Sequence, residues 1–136
     1  MLNKKKIVLL IDDNEVDLKI NSKIIKISKL FEEIILCHSA EEGLSYLHKC
    51  KADESLLPSL ILLDIQMPDM DGFDFLERYK RLPPSIIDKC LLAILSSTLD
   101  FGDIQRAQAN QFVIKLLKKP LASTELAELM AQYAIH

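Results

Sequence analysis

The sequence has no apolar run approaching the roughly 18 residues that a membrane span needs, so no segment is a candidate for crossing a bilayer. Its basic start, Met1-Leu2-Asn3-Lys4-Lys5-Lys6, is followed by apolar residues only from Ile7 to Ile11 before Asp12 intervenes. That run is too short for an export signal. Cysteine is scarce. Cys37, Cys50 and Cys90 are odd in number, far apart and without metal-ligand spacing, which predicts reduced, half-buried thiols in a cytosolic protein. No excess of one charge is present either: 17 Lys and Arg against 20 Asp and Glu give a net charge of −3, spread along the chain. Nucleic acid and anionic membrane therefore have no electrostatic footprint here. The three histidines, His38, His48 and His136, are scattered, and none is paired with a nucleophile. There is no repeat, low-complexity stretch or linker.

What remains is a chain of 136 residues, the size of one domain spanning 1–136. With 49% hydrophobic and 27% charged residues, it has the makeup of a soluble globular protein. Short apolar runs alternate five times with longer helical patterns. The strand candidates are Ile7–Ile11, Ile34–Cys37, Leu60–Leu63, Leu91–Leu95 and Phe112–Leu117. The first, third and fourth are nearly continuous Ile, Val and Leu, as expected of strands covered by helices on both faces. This alternation predicts an α/β fold with a doubly wound parallel sheet and right-handed crossovers.

The helices carry their own punctuation. Val16, Ile20, Ile24 and Ile27 form one face of a first helix running to about Ser28, expected to be its core face, with Leu18 and Ile25 roughly opposite and exposed. Lys19, Lys23 and Lys26 line a basic flank of the same helix. Ser39 with Glu42 reads as a capping box for the second helix, with Leu44 and Leu47 facing in. Asp71-Gly72 opens the third, which carries Leu76 and Tyr79 and ends at Pro83-Pro84. Asp100 caps a short fourth, poor in large apolar residues. Ser123 is expected to cap the last, where Leu126, Leu129, Met130 and Tyr133 share a face.

The polar residues at the strand ends carry the chemistry. The first run stops at Asp12-Asp13, the third at Asp64, the fourth at Ser96 and the fifth at Lys118-Lys119-Pro120. Open α/β sheets bind ligands at these carboxyl ends. In the strand order 2-1-3-4-5, Asp12, Asp13, Asp64, Ser96 and Lys119 converge on one shallow cleft. Three close carboxylates repel one another unless a cation lies between them, and hard oxygen ligands in an open cleft suit Mg²⁺. Such an ion would hold a phosphoryl group and neutralise its charge in transfer. Lys119 offers a fixed charge to a phosphoryl oxygen, Ser96 a hydroxyl to another, and Asp64 on the middle strand is the candidate nucleophile. Lys118, by strand alternation, points elsewhere.

These stretches, Ile11-Asp12-Asp13-Asn14, Leu62 to Gly72, Ile94-Leu95-Ser96-Ser97 and Lys119-Pro120, resemble the receiver domain of two-component response regulators over essentially the whole chain. The resemblance implies the flavodoxin-like (βα)5 fold and assigns Asp64 as phosphoacceptor, Asp13 as a direct ligand of Mg²⁺ and Asp12 as a water-mediated one. It also makes the backbone carbonyl of Gln66 a ligand, Ser96 the switch hydroxyl and Lys119 the phosphate-pairing lysine, often preceding a cis proline bond. The phosphoryl donor would be a sensor histidine kinase or histidine phosphotransfer protein, which the first helix helps dock. The product would be a cytoplasmic signalling phosphoprotein with only self-catalysed transfer and dephosphorylation, rather than an enzyme acting on others. Gln66 and Thr98 lie where side chains screen the phosphoryl group from water. One departure stands out: Leu116 occupies the place of the Tyr or Phe that swings with the switch hydroxyl in many receivers. The signalling face would be the fourth helix, fifth strand and fifth helix, about 100–136, through which the resemblance also allows a phosphorylation-dependent homodimer. The chain stops at His136, just past that last helix, and no output domain is expected.

Three other readings compete. A haloacid-dehalogenase-like phosphatase with an aspartyl-phosphate intermediate needs an acid two residues after the nucleophile, where this chain has Gln66. A flavodoxin-like module for a phosphorylated cofactor needs a Ser-, Thr- or Gly-rich loop after the first strand, where Asp12-Asp13-Asn14-Glu15 would repel phosphate. A degenerate receiver would lack chemical positions that are all filled here.

Overall fold

A computed structural model describes residues 5–97 and 99–133. Five parallel strands, β1 (Ile7–Ile11), β2 (Glu33–Cys37), β3 (Leu60–Leu63), β4 (Leu91–Ser96) and β5 (Val113–Lys118), form one sheet in the order β2-β1-β3-β4-β5. Six α-helices lie among the described residues: α1 (Glu15–Ser28), α2 (Ala40–Lys49), α3 (Gly72–Tyr79), α4 (Pro84–Ile87), α5 (Phe101–Ala109) and α6 (Ser123–Gln132).

Strand periodicity divides the core in two. Side chains alternate across a sheet, so Leu9, Ile11, Ile61, Leu63, Leu92 and Ile94 pack with α2 and α3 through Leu47, Phe75 and Tyr79. Val8, Leu10, Leu60, Leu62, Ala93 and Leu95 face the other way, onto Leu18 and Ile25 of α1 and Leu126 and Leu129 of α6. A strand buried on both faces cannot spare a position for a polar residue. That is why the central strands are unbroken Ile, Val and Leu, and why the polar residues begin where they end.

The caps follow local chemistry, with two changes. Asn14 accepts from Asp17 N at 3.0 Å and starts α1, and Asp100 accepts from Asp103 N at 2.7 Å and starts α5. Ser39 accepts from Glu42 N, but Glu42 Oε1 reaches back to His38 N rather than to Ser39, so that capping box is only half formed. The reciprocal box closes instead on α3, between Asp71 and Asp74. Ser123 is the first residue of α6, not its cap; Ala122 takes the cap position without a side-chain bond. Helix α3 ends at Tyr79, short of the expected stop at Pro83-Pro84, which instead begins α4, since a proline at the first helical turn loses no hydrogen bond. The last strand lies one residue later than expected, Val113–Lys118, beside a register shift between Leu92 and Ala93.

The main correction concerns α1. Its buried residues are Leu18, Asn21 and Ile25, at i, i+3 and i+7, whereas Val16 is 64% exposed, Ile20 44% and Ile27 72%. The expected faces are therefore interchanged, except that Ile24 is half-buried and packs against the core. The reason is polar. Asn21 is buried and its Oδ1 accepts from Leu121 N at 2.9 Å, which sets the rotation of the helix; a count of apolar positions gives no weight to an asparagine.

Candidate functional site

The strand ladders set the site. In register, Ile11 lies opposite Cys37 and Leu63, so Asp12 and Asp64 follow side by side at the ends of β1 and β3. The ladder runs on past the strands: Asp12 N donates to Cys37 O, Asp64 N to Ile11 O and Lys119 N to Ser96 O, each at 3.0 Å. Asp12, Asp64 and Lys119 are thus pinned through their own backbones to the neighbouring strands. Gly72 closes the loop after Asp64, with its N donating to Ile65 O at 2.9 Å. A Cβ at Gly72 would lie 2.7 Å from Asp64 O and from Ile65 Cα, so only glycine lets α3 approach the loop after Asp64 this closely.

Asp12, Asp64 and Ser96 are buried, while Asp13 is exposed. Carboxylate oxygens of Asp12, Asp13 and Asp64 all lie within 4.8 Å of one another, a set able to hold a cation. Asp64 Oδ1 accepts from Ser96 Oγ at 3.0 Å and from Gln66 N at 3.3 Å. The Lys119 ammonium lies 3.2 Å from Asp64 Oδ2, 2.5 Å from Asp12 Oδ2 and 2.9 Å from Asp17 Oδ2. Asp12 Oδ1 accepts from Asn14 N at 3.0 Å; its buried Oδ2 has the lysine beside it but receives no well-formed hydrogen bond. A buried carboxylate oxygen in that condition, beside two further acids, suits a hard cation.

Electrostatics follow from burial. Desolvation raises the Asp12 pKa above the ordinary carboxylate value, with the charge of Asp64 adding to it; the adjacent Lys119 ammonium and the hydrogen bond from Asn14 oppose the rise without cancelling it. Burial alone would depress Lys119, but bonding to Asp12 and Asp17 and the charges of Asp64 and Asp12 outweigh it. The ammonium is held above its usual range.

The structure brings together Asp12, Asp13, Asp64, Ser96 and Lys119, and puts Gln66 beside Asp64. Lys118 is exposed, as strand alternation requires, and Lys119-Pro120 is a cis bond. Thr98 lies outside the described residues. Leu116 is half-buried on β5 and pairs in register with Ile94. Two contributors escaped the sequence reading, Asp17 and Asn21, both on α1. Their spacing of four residues was the available signal, because it puts two polar side chains on one helix face.

A match to the response regulator receiver domain family covers residues 8–131. The chain belongs to that family. A receiver protein from Dyadobacter fermentans is 35% identical with a TM-score of 0.84, over 93% of this chain and 96% of that one. A two-component response regulator from Cytophaga hutchinsonii is 31% identical with a TM-score of 0.86, over 96% and 97%. Among curated relatives, response regulator Rcp1 of Synechocystis is 29% identical over 82 residues, 60% of this chain but only 56% of that protein's length. This chain is thus a receiver domain of two-component signalling, with the flavodoxin-like fold expected of it and an acidic cluster typical of a phosphoacceptor site. The phosphatase reading finds no support in the comparisons.

Proposed function

We propose that Asp64 takes a phosphoryl group from a histidine kinase or histidine phosphotransfer protein, with Mg²⁺ as cofactor, in the cytoplasm. The observation that carries this reading is the Asp64 carboxylate itself: one oxygen faces the Ser96 hydroxyl and the other the Lys119 ammonium, inside a three-carboxylate cluster. Asp12, Asp13, Asp64 and the Gln66 carbonyl would hold the metal, which when bound supplies positive charge to the phosphoryl oxygens. An Asp64 carboxylate oxygen attacks phosphorus as the bond to the donor nitrogen, or to the oxygen of an acyl phosphate, breaks. Lys119 moves from the carboxylate to a phosphoryl oxygen, and the Ser96 hydroxyl turns from Asp64 Oδ1 to another. Gln66 sits where its exposed side chain can shield the acyl phosphate from water.

Val16, Ile20 and Ile27 form an exposed apolar strip on α1, flanked by Lys19, Lys23 and Lys26. This strip, rather than Leu18 and Ile25, is the face we assign to the phosphodonor. The output passes through α5, β5 and α6, to a partner protein or a second phosphorylated copy.

Incubation with acetyl phosphate and Mg²⁺ tests the chemistry. A phosphoryl adduct should form, be lost in Asp64→Asn and fail to form when the metal is chelated. A wild-type protein that gains no Mg²⁺-dependent mass would overturn the reading, and rapid turnover of ordinary phosphomonoesters would favour the phosphatase instead.

A further inference from the structure

Lys119 is more tightly surrounded than phosphate pairing requires. Its side chain is only 6% exposed, and its ammonium has three protons and three carboxylate neighbours, Asp12, Asp17 and Asp64. Phosphorylation of Asp64 would replace one of these with a phosphoryl oxygen. Asp12 belongs to the carboxylate cluster fitted for a cation, which competes for the same oxygens. Asp17 stands apart from that cluster. It sits in the first turn of α1, where its backbone N–H is taken by the Asn14 cap and the helix terminus favours a negative side chain.

One turn further along the same face, buried Asn21 accepts from Leu121 N, two residues past Lys119. Helix α1 therefore grips the segment after β5 twice, once on the Lys119 side chain and once on the Leu121 backbone. Those two points are 102 and 100 residues away from their partners in sequence.

We propose that Asp17 is a positioning residue for phosphoryl transfer: it holds the Lys119 ammonium in place while Asp64 exchanges a carboxylate contact for a phosphoryl one. The inference rests on the proposed role of Asp64 and goes beyond it by adding a carboxylate from α1. Without Asp17, the ammonium keeps Asp12 and Asp64 as partners and is free to swing toward them, so its charge is less well placed for the incoming oxygen. Because the Asp17 side chain is 30% exposed, the pair is partly screened and its part in overall stability is small. Its part in placing a single charge is larger.

The test is the affinity for beryllofluoride, a phosphoryl mimic, measured calorimetrically in saturating Mg²⁺, alongside Mg²⁺ affinity and the thermal midpoint. Asp17→Ala should weaken beryllofluoride binding about five- to tenfold, in keeping with loss of one partly screened charge-assisted hydrogen bond. Asp17→Asn, which keeps an oxygen acceptor, should recover most of that loss. Mg²⁺ affinity should stay within about twofold of wild type. Unchanged or tighter beryllofluoride binding by Asp17→Ala would overturn the proposal. So would a parallel loss of Mg²⁺ affinity and thermal midpoint, which marks a structural role only, or an Asn variant as weak as Ala. If the wild type itself does not bind beryllofluoride, the failure lies with the role of Asp64 and the positioning role falls with it.

Discussion

Replacing Gly72 with alanine puts a Cβ 2.7 Å from Asp64 O and 2.7 Å from Ile65 Cα, with the Asp64 carbonyl carbon at 3.3 Å. All three obstacles are backbone atoms, so no side-chain rotation relieves the clash. Gly72 has no positive φ, so conformation does not require glycine there; on that count alanine gains about 0.5–1 kcal/mol inside a helix. Overpacking costs about 1–3 kcal/mol, and rigid obstacles favour the upper part of that range. The net loss should be about 1–2 kcal/mol, read as a fall of about 3–8 °C in the thermal midpoint of a domain of this length. The displaced atoms belong to Asp64, the proposed phosphoacceptor, and the residue after it, so acetyl phosphate labelling should slow as well. Gly43→Ala is the control. Its Cβ would meet the end of the Ile11 side chain at 2.5 Å, with Ile11 Cγ1 at 3.1 Å and a Phe75 ring carbon at 3.3 Å. Those atoms can shift, so the loss should be smaller and labelling unaffected. Urea denaturation and labelling rates of both variants decide the matter. A Gly72→Ala protein within about 0.5 kcal/mol of wild type and labelled at the same rate would refute the argument.

The setting of α1 is open to test by truncation: Leu18→Ala should cost about 2–5 kcal/mol and Ile27→Ala no more than about 0.5 kcal/mol by urea denaturation, and the reverse order would restore the face inferred from periodicity. Burial pushes the Cys37 thiol up to about 11. Alkylation followed by mass spectrometry at pH 8 should therefore modify half-buried Cys90 well before buried Cys37. In linkage terms, a raised folded-state pKa means that the stability contributed by the Cys37 thiol is whole below its unfolded value of about 9. It is lost as pH rises toward 11, so denaturation midpoints should fall across that window and a Cys37→Ala variant should lack this part of the fall.

The strands and their terminal acids were legible because each rests on a local constraint. Strands buried on both faces must be apolar, and a polar residue at such a strand's end marks the rim of the sheet. Asp12, Asp64, Ser96 and Lys119 were readable for that reason. The rotation of α1 was not. Val16, Ile20, Ile24 and Ile27 make a more complete apolar stripe than Leu18 and Ile25. The choice between them is made by Asn21 and its bond to Leu121, a partner 100 residues away. Asp17 was hidden for the same reason, since its contact with Lys119 spans 102 residues. The start of α4 was missed because Pro83-Pro84 reads as a stop, whereas α3 already ends at Tyr79 and the prolines open the next helix.

The charge balance of the site constrains what a receiver can do with it. Around the single ammonium of Lys119 stand Asp12, Asp17 and Asp64, with Asp13 completing the cluster at the surface. Four carboxylates against one cation is an imbalance, and the structure registers it: Asp12 is pushed toward protonation by burial and by its neighbour Asp64, despite the lysine beside it. A phosphoryl group adds further negative charge to this cluster. Repulsion between like charges at such separations is worth a few kcal/mol each at an effective dielectric near 20, more than one surrounded lysine can offset. On the proposed function, the acid cluster would need a second cation to share the load during phosphoryl transfer. Lys119, held by Asp17 of α1 as well as by Asp64, would then link the charge on Asp64 to the segment that follows β5, which Asn21 of the same helix also holds.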